Sequence, residues 1–295
     1  GVQKFTLENL LLGKETQLLI ISRIPRLVSI LVTGASLGIA GIIVQTISSN
    51  KFVSPSTIGT MDWAKFGIMI SLIFLGDKST LLKMTVAFIF ALFGTMLFMK
   101  VLSKMKIKNV VMIPLIGIML GNVVNSITGF VAYKFDLIQN IGSWMQGNFA
   151  LVVKGRYELI YIGIPFLVLA YIYTDKFTIV GIGKDFSANL GLNREKITFI
   201  GLIIVSVITA SIVVTIGTIP YVGLIIPNIV SIYKGDNMKK SLPDTAILGA
   251  LFVLICDIAG RIVMYPYEVS ISVIMSIVGS LIFLILIFRR YKYAN

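Results

Sequence analysis

The 295-residue chain is 57% hydrophobic and only 13% charged, well under the roughly one quarter charged residues of a soluble domain, which excludes a water-soluble globular fold. A net charge of +13 would point to nucleic acid in a soluble protein, but the basic residues sit in short links between apolar runs, the pattern that orients a membrane protein, so no nucleic-acid partner is expected. Histidine is absent and Cys256 is the one cysteine, which removes the commonest metal ligand and proton shuttle and any intrachain disulfide; neither a metal site nor a catalytic residue is expected.

Residues 1–26 carry Lys4, Lys14, Arg23 and Arg26 and lack the charged, apolar and cleavage regions of a secretory signal. Apolar runs then follow at about 27–47, 57–75, 80–100, 110–133, 157–174, 195–216, 219–233, 245–264 and 270–288. A hydrocarbon core of about 30 Å needs about 20 residues rising 1.5 Å each, and lipid leaves backbone polar groups no partner outside their own helix. The fold class is therefore all-α: a polytopic transmembrane helical bundle of about nine spans. The seventh run is short and carries Pro220, Gly223 and Pro227, which predicts a broken or kinked helix. No repeat, low-complexity tract or linker divides the chain, so residues 1–295 read as a single transmembrane domain.

Alternate links differ in positive charge. One set, including Lys100, Lys104, Lys184, Arg194, Lys239 and Arg289, holds 15 Lys and Arg; the opposite set holds 5. The richer set is cytoplasmic by the positive-inside rule, which puts the C-terminus inside and residues 1–26 outside as an extracytoplasmic lead. A translocated, charged lead without a signal before it leads to the expectation that one further helix precedes residue 1.

Six stretches carry polar or small residues in a pattern. Arg23-Ile24-Pro25-Arg26 opens the first span, with proline in the first turn where its missing N–H costs nothing; the two arginines either anchor at headgroups or meet a partner. Gly34, Ala35, Ser36, Gly38, Ala40 and Gly41 let another helix approach closely, and Gln45, Asn50, Ser54-Pro55 and Gly59 mark a polar turn into the second span. Asn122, Asn125, Ser126 and Gly129 share one face of the fourth span, more polarity than one helix contact needs, which favours a pathway lining over packing. Gly181 to Asn193 reads as a short cytoplasmic helix ending at Gly191; GxxxxGK[ST] is absent there and throughout, so the chain does not hydrolyse nucleotide by a phosphate loop. Asp257 and Arg261 stand at i, i+4 and pair as an ion pair within the eighth span.

The order of Arg23-Ile-Pro-Arg26, the Gly34 to Gln45 helix, Asn50 to Pro55, Trp144-Met-Gln-Gly147, Ala188-Asn-Leu-Gly191, Gly217-Thr-Ile-Pro220 through Pro227, Leu242-Pro243, Asp257 to Arg261 and Pro266-Tyr-Glu-Val-Ser270 leading to Gly279 resembles the FecCD/BtuC-type permease family of binding-protein-dependent ABC importers for ferric siderophores, haem and cobalamin. The resemblance covers essentially the whole chain. Phe52 to Asp62 and Asp136 to Asn140 are similar to the branch that imports catecholate or petrobactin-type siderophores. It implies the type II ABC importer permease fold with ten helices, so that the first is absent from this chain.

By the same resemblance, the chain is not an enzyme and holds no cofactor; ATP is used by a cytoplasmic ABC ATPase. The other implied partners are a second permease subunit, identical or related, an extracytoplasmic siderophore-binding protein, the ferric siderophore, and membrane lipid. Residues 174–194 would couple to the ATPase through Lys184, Ala188, Leu190 and Gly191. Arg23, Arg26 and Arg261 would receive glutamates of the binding protein. Asn122, Asn125 and Ser126, with Pro220 and Pro227 of the broken helix, would line or gate the path. The sequence departs from the family at Asn228 and Val230, where histidine and arginine are common, and at Tyr267, which interrupts the usual Glu-Leu-Pro.

Two other classes compete. An ion-coupled secondary transporter of a small solute would need carboxylates at mid-depth, and Asp62 and Asp257 offer little beyond the ion pair. An intramembrane enzyme would need a metal cluster, or a nucleophile beside a base, and the sequence has neither.

Overall fold

The computed structural model describes residue 17 and residues 19–104 and 112–294. Among them every regular element is a helix. A π-helical turn, Leu19–Arg23, leads into α1 (Ile24–Ile47), followed by α2 (Thr60–Leu75), α3 (Thr80–Lys104), α4 (Met112–Lys134), α5 (Ile138–Met145), α6 (Gly163–Ile172), α7 (Thr174–Ile182), α8 (Lys184–Asn189), α9 (Arg194–Ile216), α10 (Val222–Lys234), α11 (Met238–Ile262) and α12 (Ile271–Ala294).

Burial sorts these helices into a centre and a shell. About three quarters of the spanning windows of α1 (72%) and α9 (78%) are enclosed, against 33% for α3, α4 and α11 and 22% for α12. The small-residue stretch of α1 is the reason its neighbours come so close. A Cβ on Gly34 would stand 2.3 Å from the Gly249 carbonyl oxygen of α11, and one on Gly41 would stand 1.9 Å from the Gly223 carbonyl oxygen of α10. These are packing contacts, in which small residues replace the hydrophobic effect that lipid cannot supply between helices. On the other side, Trp63 of α2 lies over Gly94 of α3 and stacks edge-on with Phe66 and Phe93.

The expected nine spans are not all found. Among the described residues, six helices are long and apolar enough to cross a membrane, seven if the helical run Glu158–Ile172 and α7, bent by 61°, count as one span. The expected spans at 57–75 and 219–233 instead contain α2 and α10, with 16 and 13 residues. At 1.5 Å per residue they reach about 24 and 20 Å, short of a full crossing. Both begin inside the bundle. Gly59, which precedes α2, meets Gly117 and Gly121 near the middle of α4, and Gly223 at the start of α10 packs on Pro55 and on the Leu37 carbonyl of α1. The segments 48–59 and 217–221 therefore turn back within the bundle and meet each other, enclosed by protein where irregular backbone can be satisfied.

Candidate functional site

The meeting point of these two turned segments borders a partly open cavity of about 380 Å³, lined by Ser54 to Ser56, Met61, Thr218 to Tyr221, Leu224 and Ser276 among others. Pro220 lines it. Pro227 does not; it is buried inside α10. Its effect is indirect, because a proline has no N–H to give the carbonyl four residues earlier, which leaves the Gly223 oxygen short of its helical donor. Gln45 of α1 supplies one: its Nε2 donates to the Gly223 oxygen at 3.3 Å and the Leu224 oxygen at 3.1 Å. Asn228 braces the same turn, its Nδ2 donating to the Leu224 and Lys51 oxygens at 2.7 and 2.8 Å. Asn228 and Gln45 thus have a shared structural task that the sequence did not disclose. Tyr221 holds a left-handed backbone (φ 68°) and packs on Gly279 of α12.

The polar face of α4 is partly open. Asn122 and Ser126 are exposed, with the Ser126 hydroxyl donating to the Asn122 oxygen at 2.9 Å. Asn125 is half-buried and accepts a 2.7 Å hydrogen bond from Lys65 Nζ of α2. Asp62, one turn earlier on α2, lies over Gly121, where a Cβ would come within 2.3 Å of its carboxylate. Lys65 escaped the sequence reading; a lone lysine in an apolar run was the signal that could have found it. This face and the cavity are separate, since none of Asn122, Asn125 and Ser126 lines the latter.

In the 174–194 segment, α8 ends at Asn189 and Gly191 takes the left-handed conformation (φ 71°), its N–H donating to the Ala188 oxygen at 2.9 Å while Leu192 N–H reaches the Ser187 oxygen at 3.0 Å. These bonds satisfy the last carbonyls of the helix. Ser187 Oγ ties α8 to the Gly183 oxygen at 2.7 Å, and Ser49 Oγ ties the Gly181 oxygen to the end of α1 at 3.1 Å. Ile182, Phe186, Ala188 and Leu190 are left exposed.

The arginines come together in part. Arg26, at the start of α1, donates to Asp257 of α11 at 2.9 Å and to Glu268 at 2.7 Å, and Arg261 pairs with Asp257 from the other side. Arg26 is 14% exposed and Asp257 4%, so the expected Asp257–Arg261 pair is present but belongs to a larger, mostly enclosed network. The loop before α12 brings Glu268 there by folding back on α11, Val269 N–H donating to the Gly260 oxygen at 2.9 Å. Arg26 therefore has its guanidinium turned inward, while Arg261 retains 33% exposure and Arg23 is half-buried. The Trp144 to Gly147 motif also has a structural part to play: the Met145 oxygen accepts from Thr218 N–H and Oγ1, and Gln146 Nε2 donates to Ser270 Oγ, so the strand-like stretch after α5 clasps the turned segment to the start of α12.

Comparison with known proteins gives a consistent picture. The profile of the FecCD transport family matches residues 3–289. The chain is 58% identical to the petrobactin import system permease protein YclN of Bacillus subtilis, over 95% of this chain and 89% of that protein. It is 38% identical to the ferric-anguibactin transport system permease protein FatD of Vibrio anguillarum, over 93% of this chain and 87% of that one. Among solved structures, a metal-chelate type ABC transporter in an inward-facing conformation superposes with a TM-score of 0.84 at 23% identity, covering 98% of this chain and 92% of that one.

Proposed function

The chain belongs to the FecCD transport family, and from that premise we propose that it is the multi-pass membrane permease subunit of an ABC importer that carries a ferric siderophore inward across the cytoplasmic membrane. The observation that carries this reading is the 58% identity, over nearly the full length of both chains, to a petrobactin import permease. Chemistry in the chain itself is not required: a separate ATPase drives transport. The exposed apolar surface of Ile182, Phe186, Ala188 and Leu190 is where that ATPase docks, with Lys184 and Gly191 in the same segment. Arg23 and Arg261 receive acidic residues of the binding protein, and Arg26 holds the outer ends of α1 and α11 beneath them. A second permease subunit covers part of the peripheral face of α4 and α12, and the path runs past Asn122, Asn125 and Ser126, with Pro220 at the central cavity.

A secondary transporter needs carboxylates placed to bind and release an ion, whereas Asp257 is held by two arginines. Disruption of the gene should abolish accumulation of iron-55 supplied as ferric petrobactin and leave uptake of iron-55 citrate intact. Undiminished accumulation of the siderophore-bound iron, with no second importer present, would contradict the assignment.

A further inference from the structure

The turn after α1 holds a residue that its own backbone does not favour. Residues 48–50 close the helix with the pair of bonds that usually accompanies a glycine: Ser49 N–H donates to the Thr46 oxygen at 3.1 Å and Asn50 N–H to the Gln45 oxygen at 3.0 Å. Ser49 takes the left-handed conformation (φ 43°), where glycine is the default because a Cβ makes it costly. Ser49 is also exposed, so packing does not demand a side chain. What the serine adds is its hydroxyl, which donates to the Gly181 oxygen at 3.1 Å, in the last turn of α7 and just ahead of α8. The two helices already touch at this level, since a Cβ on Gly181 would stand 2.8 Å from Thr46 Cγ2.

On its other side the same turn is tied to the elements around the cavity. The Lys51 oxygen accepts from Asn228 Nδ2 of α10 at 2.8 Å, and Lys51 Nζ pairs with Asp236 in the link from α10 to α11. Phe52 stacks edge-on against Phe283 of α12 with ring centres 6.1 Å apart, and Phe283 meets Tyr221 at 6.4 Å. Tyr221 and Ser54 to Ser56 line the cavity. Residues 49–52 thus stand between the segment that carries α8 and the cavity wall, and a costly backbone kept at such a junction points to a task for its side chain. We propose that Ser49 is a positioning residue of transport, whose bond to Gly181 makes the turn after α1 follow the movement of α7 and α8 and so carries ATPase closure to the cavity-lining residues; this rests on the reading of α8 as the element where the ATPase docks.

Glycine and asparagine at position 49 separate this role from helix capping. Ser49→Gly removes the hydroxyl and relieves the backbone, so the thermal midpoint of the purified permease should stay level or rise. The permease is then reconstituted in proteoliposomes with its ATPase and loaded binding protein, and the iron-55 petrobactin carried per ATP hydrolysed is measured. Ser49→Gly should lower that ratio roughly two- to fivefold, the scale of one solvated hydrogen bond. Ser49→Asn accepts the left-handed backbone and keeps an N–H donor for the Gly181 oxygen, and should recover most of the ratio. A serine that serves the cap alone would leave glycine as good or better in both measurements. An undiminished ratio in Ser49→Gly, a ratio that falls only together with the midpoint, or no recovery in Ser49→Asn would each overturn the proposal. Absence of ATP-driven crossing in the unaltered permease would be a different failure, one that overturns the importer assignment and this proposal with it.

Discussion

At the scale of single residues, buried polar atoms in this chain are placed to complete the backbone of its broken helix. Gln45 donates to the Gly223 carbonyl that Pro227 leaves short of its helical donor, and to the Leu224 carbonyl that Asn228 also reaches. Leucine at position 45 would keep the volume but strand the Gly223 oxygen in a dry interior, at a cost of about 1–3 kcal/mol. Gln45→Leu should therefore lower the thermal midpoint of the detergent-purified protein, whereas Ser280→Ala, half-buried on α12 with its hydroxyl on the Ile277 oxygen of its own helix, should not; equal midpoints would contradict this role. The sequence made Pro227 legible as a break and the Gly34 to Gly41 stretch legible as packing, because both follow from local chemistry. It could not show which side chain repairs the break, since Gln45 and Gly223 are 178 residues apart and meet only through the fold. The same holds for Lys65 and Asn125, joined across two helices.

Among the elements, hydropathy found the long helices, while two of its nine runs hold helices, α2 and α10, shorter than a full crossing. Windows of apolar residues register α2 and α10 as spans because they are as apolar as their neighbours, but hydropathy carries no record of where a chain turns around. That information lies in contacts such as Gly59 with α4 and Gly223 with Pro55. By contrast, α8 was legible with its end, because a glycine past a short polar helix is a stop signal in its own right. Gly191 has φ 71° and open space where a Cβ would go, so Gly191→Val acts by backbone strain of about 1–2 kcal/mol rather than by collision. In the assembled importer, this variant should insert normally yet lose the acceleration of ATP hydrolysis by loaded binding protein. Full acceleration would remove α8 from the coupling surface.

For the molecule as a whole, the network around Asp257 changes what the arginines can be asked to do. Reversing Arg26 to glutamate would set three carboxylates together at a mostly enclosed site, and breaking such a pair costs about 3–5 kcal/mol, so Arg26→Glu should reduce permease abundance in the membrane. Arg23→Glu should leave abundance unchanged and weaken binding-protein docking in a salt-sensitive way; the opposite order of effects on a membrane immunoblot and a docking titration would reject this division of roles. The central claim, that ATP hydrolysis by a partner drives iron chelate through this chain, is tested most directly by flux. The permease is reconstituted in proteoliposomes with its ATPase on one face and loaded binding protein on the other, and iron-55 petrobactin crossing is measured with ATP alone and with an imposed proton or sodium gradient alone. Crossing that requires ATP and ignores both gradients is the expected result; crossing driven by a gradient without ATP would contradict it.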